Sequence, residues 1–326
     1  MRGCIVRRGK KSWRLKFYLD RDPETGARRY HTVTVRGTRR DAEAELARLL
    51  NDANKGALVD VSKLTVADYL SRWLDGKHGI SPVTRERYRD TIIKGIGPDL
   101  SEIELQKLKP VHIKAWLSKM VTRGSRTSGP LSARTVRSAY RVLHGALKEA
   151  VKLDLAARNV ADAVSPPAGS VDEIEILNAD QVTGVLASLK GSRLYPIASL
   201  ALATGMRRGE LLALRWQDVD LANATIKVER SLEQTRGGAL RFKSPKTRHS
   251  RRTISLPPSA VTLLRGHRQA QLELRLQLGM GKLESDAVVF CNHDGAPISP
   301  NCFSVMWGRA VPRRLSTRCV ILSPRD

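Results

Sequence analysis

Hydrophobic and polar residues alternate over the first part of the chain. This alternation covers residues 12–20, "SWRLKFYLD", and 28–35, "RRYHTVTV", which are joined by the turn-forming sequence "RDPETGA". It predicts two paired strands, and residues 4–9 offer a third. Residues 38–56 then carry helical spacing behind Thr38, a residue type that favours a helix start. A three-stranded sheet backed by one helix is the expected N-terminal unit, at residues 1–60.

Helical spacing dominates residues 64–160. Four segments have this spacing, at residues 65–76, 81–98, 109–121 and 132–153. Each has a Ser, Thr or Pro at or next to its first residue, and these residue types favour a helix start. In the last one, apolar residues from Val136 to Val151 recur every three or four positions, which predicts a single buried stripe. A four-helix unit follows from this pattern. Proline and glycine then break both patterns, and residues 161–176 are predicted to be a linker.

A third unit, at 177–310, combines segments with helical spacing and segments with the alternation of a strand. Asn178 and Gln181 have the spacing of a capping box at a helix start. Apolar and short helical segments precede three strand-like stretches, "TIKVERSL", "ALRFKSPK" and "RRTISL", and helices are predicted at 258–279 and from Ser299 to about residue 310. Residues 311–326 fit neither period and are treated as an atypical tail. The expected fold is therefore multidomain and mainly α, with small β-sheets.

Charge narrows the possible functions. The 326 residues contain 57 Lys and Arg against 32 Asp and Glu, a formal net charge of +25. Such a field favours a polyanionic partner, with double-stranded DNA as our interpretation and a ribosomal-type or membrane-surface protein as the alternatives. No apolar run of about 18 residues and no leader is visible, so we expect a cytoplasmic protein with no membrane contact. The four cysteines are far apart, and neither a metal site nor a disulfide framework is predicted.

Basic side chains on the two N-terminal units are candidates for DNA contacts. Residues 1–40 alone hold thirteen Arg and Lys against three Asp and Glu. For any single one of these residues, the alternative is an ordinary solvent-exposed position with no role in binding. Taken together they indicate a surface that follows a DNA backbone. The predicted contact residues are Arg14, Lys16, Arg28, Arg29, Arg134, Arg137 and Arg141 on these two units, and Arg248 in the third unit.

The segment "TGMRRGELLALRWQDVDL", 204–221, carries the most specific chemistry. Gly205 permits a sharp turn into a helix, so Arg207 is predicted at a helix start, where backbone amides and the helix dipole favour an anion. Glu210 follows three residues later on the same face and can hold the guanidinium. A planar guanidinium fixed in this way suits phosphate capture, and an ordinary surface Arg–Glu pair is the alternative.

This segment closely resembles the first catalytic box of the tyrosine recombinases, the phage-type integrase family. Together with the "KSPKTRHSRRTISL" hairpin that follows it, the resemblance extends over almost the whole chain. It implies an arm-site DNA-binding domain, a SAM-like core-binding domain and an α+β catalytic domain. In the family a tyrosine attacks the scissile phosphate and forms a 3′-phosphotyrosine, and neither a metal nor another cofactor is required.

The resemblance assigns roles to three residues. Arg207 matches the family's first catalytic arginine, which stabilises the phosphorane, and Glu210 matches its supporting acid. Lys246 matches the hairpin lysine that protonates the leaving 5′-oxygen, although it also reads as one more cation in a basic loop. Attachment-site or arm-type DNA is the implied partner, together with other integrase protomers on that DNA. A monomer is expected in solution.

The resemblance stops before the catalytic set is complete. No His-x-x-Arg box on a helix, with a further His or Trp and a late nucleophilic Tyr after it, follows Lys246 in the sequence. The last tyrosine, Tyr195, precedes Arg207 and is predicted to pack in a core. The one His-x-x-Arg string, His249 to Arg252, begins a predicted strand, where residues three apart point to opposite faces. We therefore do not interpret it as the second box.

Three hypotheses remain. The first is an integrase polypeptide without its last catalytic part, through a frameshift, a premature stop or an incomplete gene prediction, and inactive on its own. The second is a dedicated DNA-binding regulator or competitor of an intact integrase. The third, a recombinase that borrows a tyrosine in trans, is the weakest because the His-x-x-Arg box is missing as well.

Overall fold

The chain divides into two compact units, residues 1–170 and 171–326. It is mainly helical with small antiparallel sheets, which confirms the predicted fold class. The structure is a computed structural model, and it describes residues 3–21, 26–54, 63–122, 130–169, 176–244 and 251–311. The hairpin residues Lys246 and Arg248, and the predicted tail apart from its first residue, lie outside the described residues.

The N-terminal sheet forms as the alternation predicts. Its strands are β1 (Gly3–Gly9), β2 (Ser12–Arg21) and β3 (Arg28–Arg36), antiparallel in the order β1-β2-β3, and helix α1 (Arg39–Asn54) packs on one face. Leu15 and Phe17 are buried towards that helix, whereas Lys16 between them is exposed. Successive side chains on a strand point to opposite faces, so the other face of the sheet is open to solvent.

Five α-helices make up the rest of the first unit. They are α2 (Val66–Asp75), α3 (Pro82–Asp90), α4 (Gly97–Leu100), α5 (Pro110–Thr122) and α6 (Ala133–Lys152). The sequence predicts four helical segments, and the difference arises because a π-helical turn at Thr91–Ile96 separates α3 from α4. Side chains of Thr65, Ser81 and Ser132 accept hydrogen bonds from the first turns of α2, α3 and α6, as N-caps do.

Helix α6 carries the core of this bundle. Val136, Leu143 and Leu147 are all at most 2% exposed, as the predicted stripe requires. The beginning of the predicted linker also packs on α6, because the Tyr140 hydroxyl donates to the carbonyls of Ala161 and Val164, at 2.9 Å each. The chain therefore leaves the helical bundle along α6 and not as a free connector.

The second unit has five helices and five short strands among its described residues. The helices are α7 (Ala179–Leu189), α8 (Leu194–Thr204), α9 (Arg208–Leu212), α10 (Pro258–Gln277) and α11 (Pro300–Ala310), and the strands are β4 (Val219–Asp220), β5 (Thr225–Val228), β6 (Ser231–Gln234), β7 (Leu240–Lys243) and β8 (Arg252–Ser255). Asn178 and Gln181 form the predicted capping box at the start of α7, with both reciprocal bonds present.

The predicted strand "TIKVERSL" is divided between two sheets. Its first half is β5 in the sheet β4-β5-β8, and its second half is β6, which pairs only with β7. The division falls at residues 229–230, where the Arg230 guanidinium turns aside to pair with the buried carboxylate of Asp218. A buried carboxylate needs such a partner, so this ion pair outweighs continuation of the strand.

Helix α9 lies so close to β6 that no side chain fits at Gly209. A Cβ atom there would come within 2.5 Å of the Ser231 hydroxyl and 2.9 Å of the Leu232 carbonyl oxygen. This contact fixes the short helix against the hairpin β6-β7. Among the described residues, no helix is long and apolar enough to span a bilayer.

Candidate functional site

Arg207 lies at the junction between α8 and α9. Helix α8 ends at Gly205, whose φ of +63° is a left-handed conformation that glycine adopts without strain. Met206 is then fully buried, which anchors the junction in the core of the second unit. Arg207 follows in an extended conformation as the N-cap residue of α9, as predicted, and its side chain is 64% exposed.

Glu210 holds Arg207 from within the protein. Its carboxylate is only 6% exposed and accepts hydrogen bonds from the Arg207 backbone N–H at 3.0 Å and from Arg207 Nη1 at 3.1 Å. The predicted contact between these two side chains is therefore present. The remaining guanidinium surface of Arg207 faces solvent, where an anion can reach it.

Arg252 is the functional candidate that sequence reasoning missed. It begins β8, and its Nη2 and Nη1 donate to Glu210 Oε2 and Oε1 at 2.8 and 3.3 Å. In the sequence, Arg252 stands out only as the last residue of the His-x-x-Arg string at the start of a predicted strand, and it receives no functional role. Arg252 and Glu210 are 42 positions apart, so no local sequence pattern relates them. The pairing of β8 with β5 brings this guanidinium to Glu210.

The charge balance at Glu210 favours its ionised form. Burial by itself would raise the pKa of this carboxyl group, but hydrogen bonds from Arg252 and Arg207 outweigh burial and lower the pKa below its usual value. Two guanidinium groups therefore share one carboxylate, and the cluster keeps a net positive charge beside an exposed arginine. This combination attracts an anion such as a phosphate.

The helix dipole contributes less than the sequence predicts. Helix α9 has only five residues, and the backbone N–H of Arg207 is already bonded to Glu210. The Arg207 side chain, which is 64% exposed, is therefore the group that an incoming anion can reach. The neighbouring Arg208 points elsewhere and donates to the Ser304 hydroxyl of α11 at 2.7 Å.

Other residues considered as candidates have structural roles in the described part of the chain. Tyr195 is partly buried against the core of the second unit, as predicted. His267 is partly buried and hydrogen-bonded to the Val289 carbonyl at 2.8 Å, and desolvation lowers its pKa, so the imidazole is neutral at physiological pH. Burial likewise raises the pKa of the Cys291 thiol, which disfavours the reactive thiolate.

A row of basic and aromatic side chains covers the open face of the N-terminal sheet. Arg14 and Lys16 alternate with buried residues along β2, and Arg28 is exposed at the start of β3. The Lys16 ammonium lies 4.2 Å from the centre of the Tyr30 ring, within cation–π distance. The structure thus places three predicted DNA-contact residues on one sheet, and the side chain of Arg29 lies outside the described part of that sheet.

Helix α6 presents a second basic row. Arg134 and Arg141 are exposed on it, as a DNA contact requires. Arg137 is only half exposed, and its guanidinium lies against the linker at Gly169, where a Cβ atom would come within 1.8 Å of Nη2. Among the described residues, no three His, Cys, Asp or Glu side chains lie together as metal ligands would.

Comparison with known families gives two matches. Residues 175–318 match the sequence family described as the phage integrase family, and residues 65–121 match the family described as phage integrase, N-terminal SAM-like domain. Together these matches cover more than half of the chain.

Two relatives show similar coverage. A tyrosine recombinase XerC-like protein of Caldanaerobacter subterraneus subsp. tengcongensis is 28% identical over 84% of this chain and 72% of its own length. An integrase of Streptomyces ambofaciens is 30% identical over 80% of this chain and 66% of its own length. The chain therefore spans 66% to 72% of the length of these two relatives.

Solved structures share the same fold. The Tn1549 transposon integrase in complex with a circular intermediate DNA superposes with a TM-score of 0.67 at 18% identity, over 79% of this chain and 85% of that one. A lambda integrase dimer bound to a core site gives a TM-score of 0.55 at 19% identity, over 96% of this chain and 80% of that one. The likeness establishes the architecture in which Arg207, Glu210 and Arg252 lie.

Proposed function

Because the chain belongs to the phage integrase family of tyrosine recombinases, we propose that it binds duplex DNA and holds one backbone phosphate with Arg207. The observation that carries this proposal is the buried Glu210 carboxylate, which orients a guanidinium that is itself 64% exposed. An arginine held on one side by a carboxylate and open on the other is arranged for a charge-assisted, two-pronged contact with a phosphate.

The chemistry proposed for this contact is electrostatic. In-line attack on a phosphodiester places extra negative charge on the non-bridging oxygens, and a fixed guanidinium stabilises that charge without having to reorganise. Lys246 is proposed to protonate the leaving 5′-oxygen, as the family resemblance implies. Arg248, next to it in the same segment, is proposed to contact the DNA backbone.

Basic surfaces of the first unit are proposed to supply most of the affinity. The sheet face with Arg14 and Lys16 and the helix face with Arg134 and Arg141 each present cations that solvent reaches and that a DNA backbone can engage. Similar structures include a lambda integrase dimer bound to a core site and a lambda integrase tetramer bound to a Holliday junction, and we propose that further copies of this chain assemble on DNA in the same way.

This 326-residue polypeptide is proposed to form no covalent link to DNA by itself. Its last tyrosine is Tyr195, which is partly buried on α8 and packs in the core, and no tyrosine follows Arg207 in the sequence. The test is incubation with nicked duplex that contains a binding site, followed by electrophoresis in SDS. We expect no slow-migrating protein–DNA adduct, and a stable adduct would refute this part of the proposal.

A second candidate function is that of a regulator that competes with an intact integrase. The same lack of a late tyrosine favours it, because a polypeptide that occupies the site without cleaving blocks the active enzyme. Adding the chain to an intact integrase and its substrate separates the two. Inhibition that follows occupancy of the binding site supports competition, whereas unchanged recombination excludes it.

Phosphate contact at Arg207 is tested on duplexes that the protein itself selects. The whole chain first selects duplexes from a random-sequence library, and single phosphates are then neutralised by ethylation to find those needed for binding. Arg207→Gln is expected to abolish the dependence on one phosphate and leave the others. If the pattern is unchanged, Arg207 does not hold a phosphate.

Salt dependence tests the wider charge argument. With a net charge of +25, the chain is expected to release many counterions on binding. Affinity should then fall by about a thousandfold or more between about 50 and 200 mM monovalent salt. A flat salt dependence would contradict the assignment of the basic surfaces to DNA.

A further inference from the structure

We propose that Arg252 is a positioning residue for Arg207, acting through the buried carboxylate that the two arginines share. The inference rests on the proposed function, since it concerns how the phosphate-holding arginine is kept in place. Arg252 itself is not proposed to touch the phosphate. Its role is to fix Glu210, and thereby to fix the side-chain contact through which Glu210 orients Arg207.

The hydrogen bonds at Glu210 are shared unequally. Among the described residues, its carboxylate accepts four, and two of them come from the Arg252 guanidinium, at 2.8 and 3.3 Å. The Arg207 side chain supplies only one, from Nη1 at 3.1 Å. Arg252 therefore donates to the carboxylate from two nitrogens, and the Arg207 side chain donates to a carboxylate that Arg252 already orients.

The backbone of Arg252 is held independently of the site. It begins β8 directly opposite Val228 of β5, within the antiparallel sheet β4-β5-β8. Arg207, by contrast, stands at the start of a five-residue helix, and its side chain is 64% exposed. A side chain on a paired strand is held more rigidly than one at a helix junction. We therefore infer that Arg252 orients the Glu210 carboxylate and that Glu210 in turn orients Arg207.

Removal of Arg252 should change the charge state of Glu210. A carboxylate that is 6% exposed has little contact with water, and it stays ionised because cations donate to it. Without the Arg252 bonds, burial would favour the protonated acid at a higher pH. A neutral Glu210 attracts Arg207 weakly, and the exposed guanidinium would then move freely in solvent.

The neighbouring Arg251 provides a matched control. Its side chain is 57% exposed, its Nε lies 3.9 Å from the Glu229 carboxylate, and among the described residues it makes no hydrogen bond to Glu210. Arg251→Gln removes the same charge from the same strand end as Arg252→Gln. A difference between the two variants therefore reports the contact with Glu210 and not the loss of one positive charge.

The experiment uses the whole chain, the selected duplex and ethylation interference. Arg252→Gln is expected to lose the same single phosphate that Arg207→Gln loses, with affinity at pH 7.5 about tenfold weaker, the effect expected for one charge-assisted contact. Arg251→Gln should keep that phosphate. As the pH is lowered, the affinity of Arg252→Gln should begin to fall at a higher pH than that of wild type, because loss of the Arg252 hydrogen bonds raises the pKa of Glu210.

A double-mutant cycle covers the case in which Arg252→Gln fails to fold. Arg252→Lys keeps a cation beside Glu210 but offers a compact ammonium in place of the planar fork. We expect it to weaken binding by about threefold in the wild-type background and to have no further effect in an Arg207→Gln background, since residues in one network couple. Equal losses in both backgrounds would overturn the inference, because Arg252 would then act without Arg207.

The outcomes separate this inference from the proposed function. If wild type and Arg207→Gln show the same phosphate pattern, the proposed function fails and the inference fails with it. If Arg207→Gln loses one phosphate while a folded Arg252→Gln keeps it, only the inference fails. Loss of the same phosphate in both, with Arg251→Gln unchanged, supports both.

Discussion

Replacement of Gly209 by alanine tests the contact that fixes α9 against β6. The added Cβ atom would meet the Ser231 hydroxyl at 2.5 Å and the Leu232 carbonyl oxygen at 2.9 Å. The serine hydroxyl can rotate away, but the carbonyl belongs to the backbone of a paired strand and cannot. The helix would therefore have to move away from the hairpin.

The expected magnitude comes from two opposing effects. Overpacking of this kind destabilises a protein by about 1–3 kcal/mol. Alanine is favoured over glycine within a helix by about 0.5–1 kcal/mol, which offsets part of that loss. The net change for Gly209→Ala is a loss of about 0–2.5 kcal/mol, or a fall in Tm of up to about 10 °C for a unit of this size.

Gly266→Ala is the matched control. Gly266 lies inside α10 of the same unit, and a Cβ atom there would have nothing within 4 Å. This variant shows the helix-propensity effect alone and should be stabilised by about 0.5–1 kcal/mol. Thermal unfolding of both variants is measured by calorimetry, and hydrogen exchange over residues 226–244 reports stability next to the contact.

Two results decide the reasoning. Opposite shifts in Tm for the two variants support a steric contact at Gly209. Similar shifts would refute it, because the close approach of α9 to β6 would then carry no energy. Adding Ser231→Ala to Gly209→Ala should recover only part of the loss, since the Leu232 carbonyl oxygen remains in place.

Three further predictions concern other parts of the chain. Burial lowers the pKa of His267 in the folded state, so the unfolded state binds more protons and wild-type stability should fall as the pH drops through about 6.5. In His267→Gln the free energy of unfolding, measured with urea between pH 7.5 and 5, should depend less on pH than in wild type, and an equal pH dependence would contradict this. Asn178→Ala removes a cap that accepts from the Gln181 N–H at 2.8 Å, and should reduce the free energy of unfolding by about 1 kcal/mol, whereas no measurable loss would show that the cap is dispensable. Leu143 is fully buried, so Leu143→Ala should cost about 2–5 kcal/mol and raise hydrogen exchange along α6, and a loss below about 1 kcal/mol would mean that the bundle closes around the cavity.

Local features of this fold could be read from the sequence because they depend on near neighbours. Helix starts at Thr65, Ser132 and Asn178 arise from side chains that bond to the backbone three residues later. Strands β2 and β3 follow from the alternation of apolar and polar residues, and the placement of Arg207 follows from the turn at Gly205. The contact between Glu210 and Arg207 spans the same short distance along the chain.

Other expectations needed correction because competing contacts come from elsewhere in the chain. The pattern predicted one strand over "TIKVERSL", but the ion pair between Arg230 and the buried Asp218 divides it into β5 and β6. Arg137 stays a predicted DNA contact, and its guanidinium lies close to Gly169 of the linker. Periodicity shows that a residue faces inward or outward, but it does not say which distant residue it meets.

The sequence by itself determined most of the secondary structure, the basic surfaces and the first half of the candidate site, since each depends on residue types and on contacts within a turn or strand. The tertiary structure alone decided that Arg252 meets Glu210 and that Gly209 admits no side chain. Both contacts depend on strand register and on the packing of α9 against β6, which the whole core sets through many small contributions. No short stretch of sequence determines the packing of the whole core.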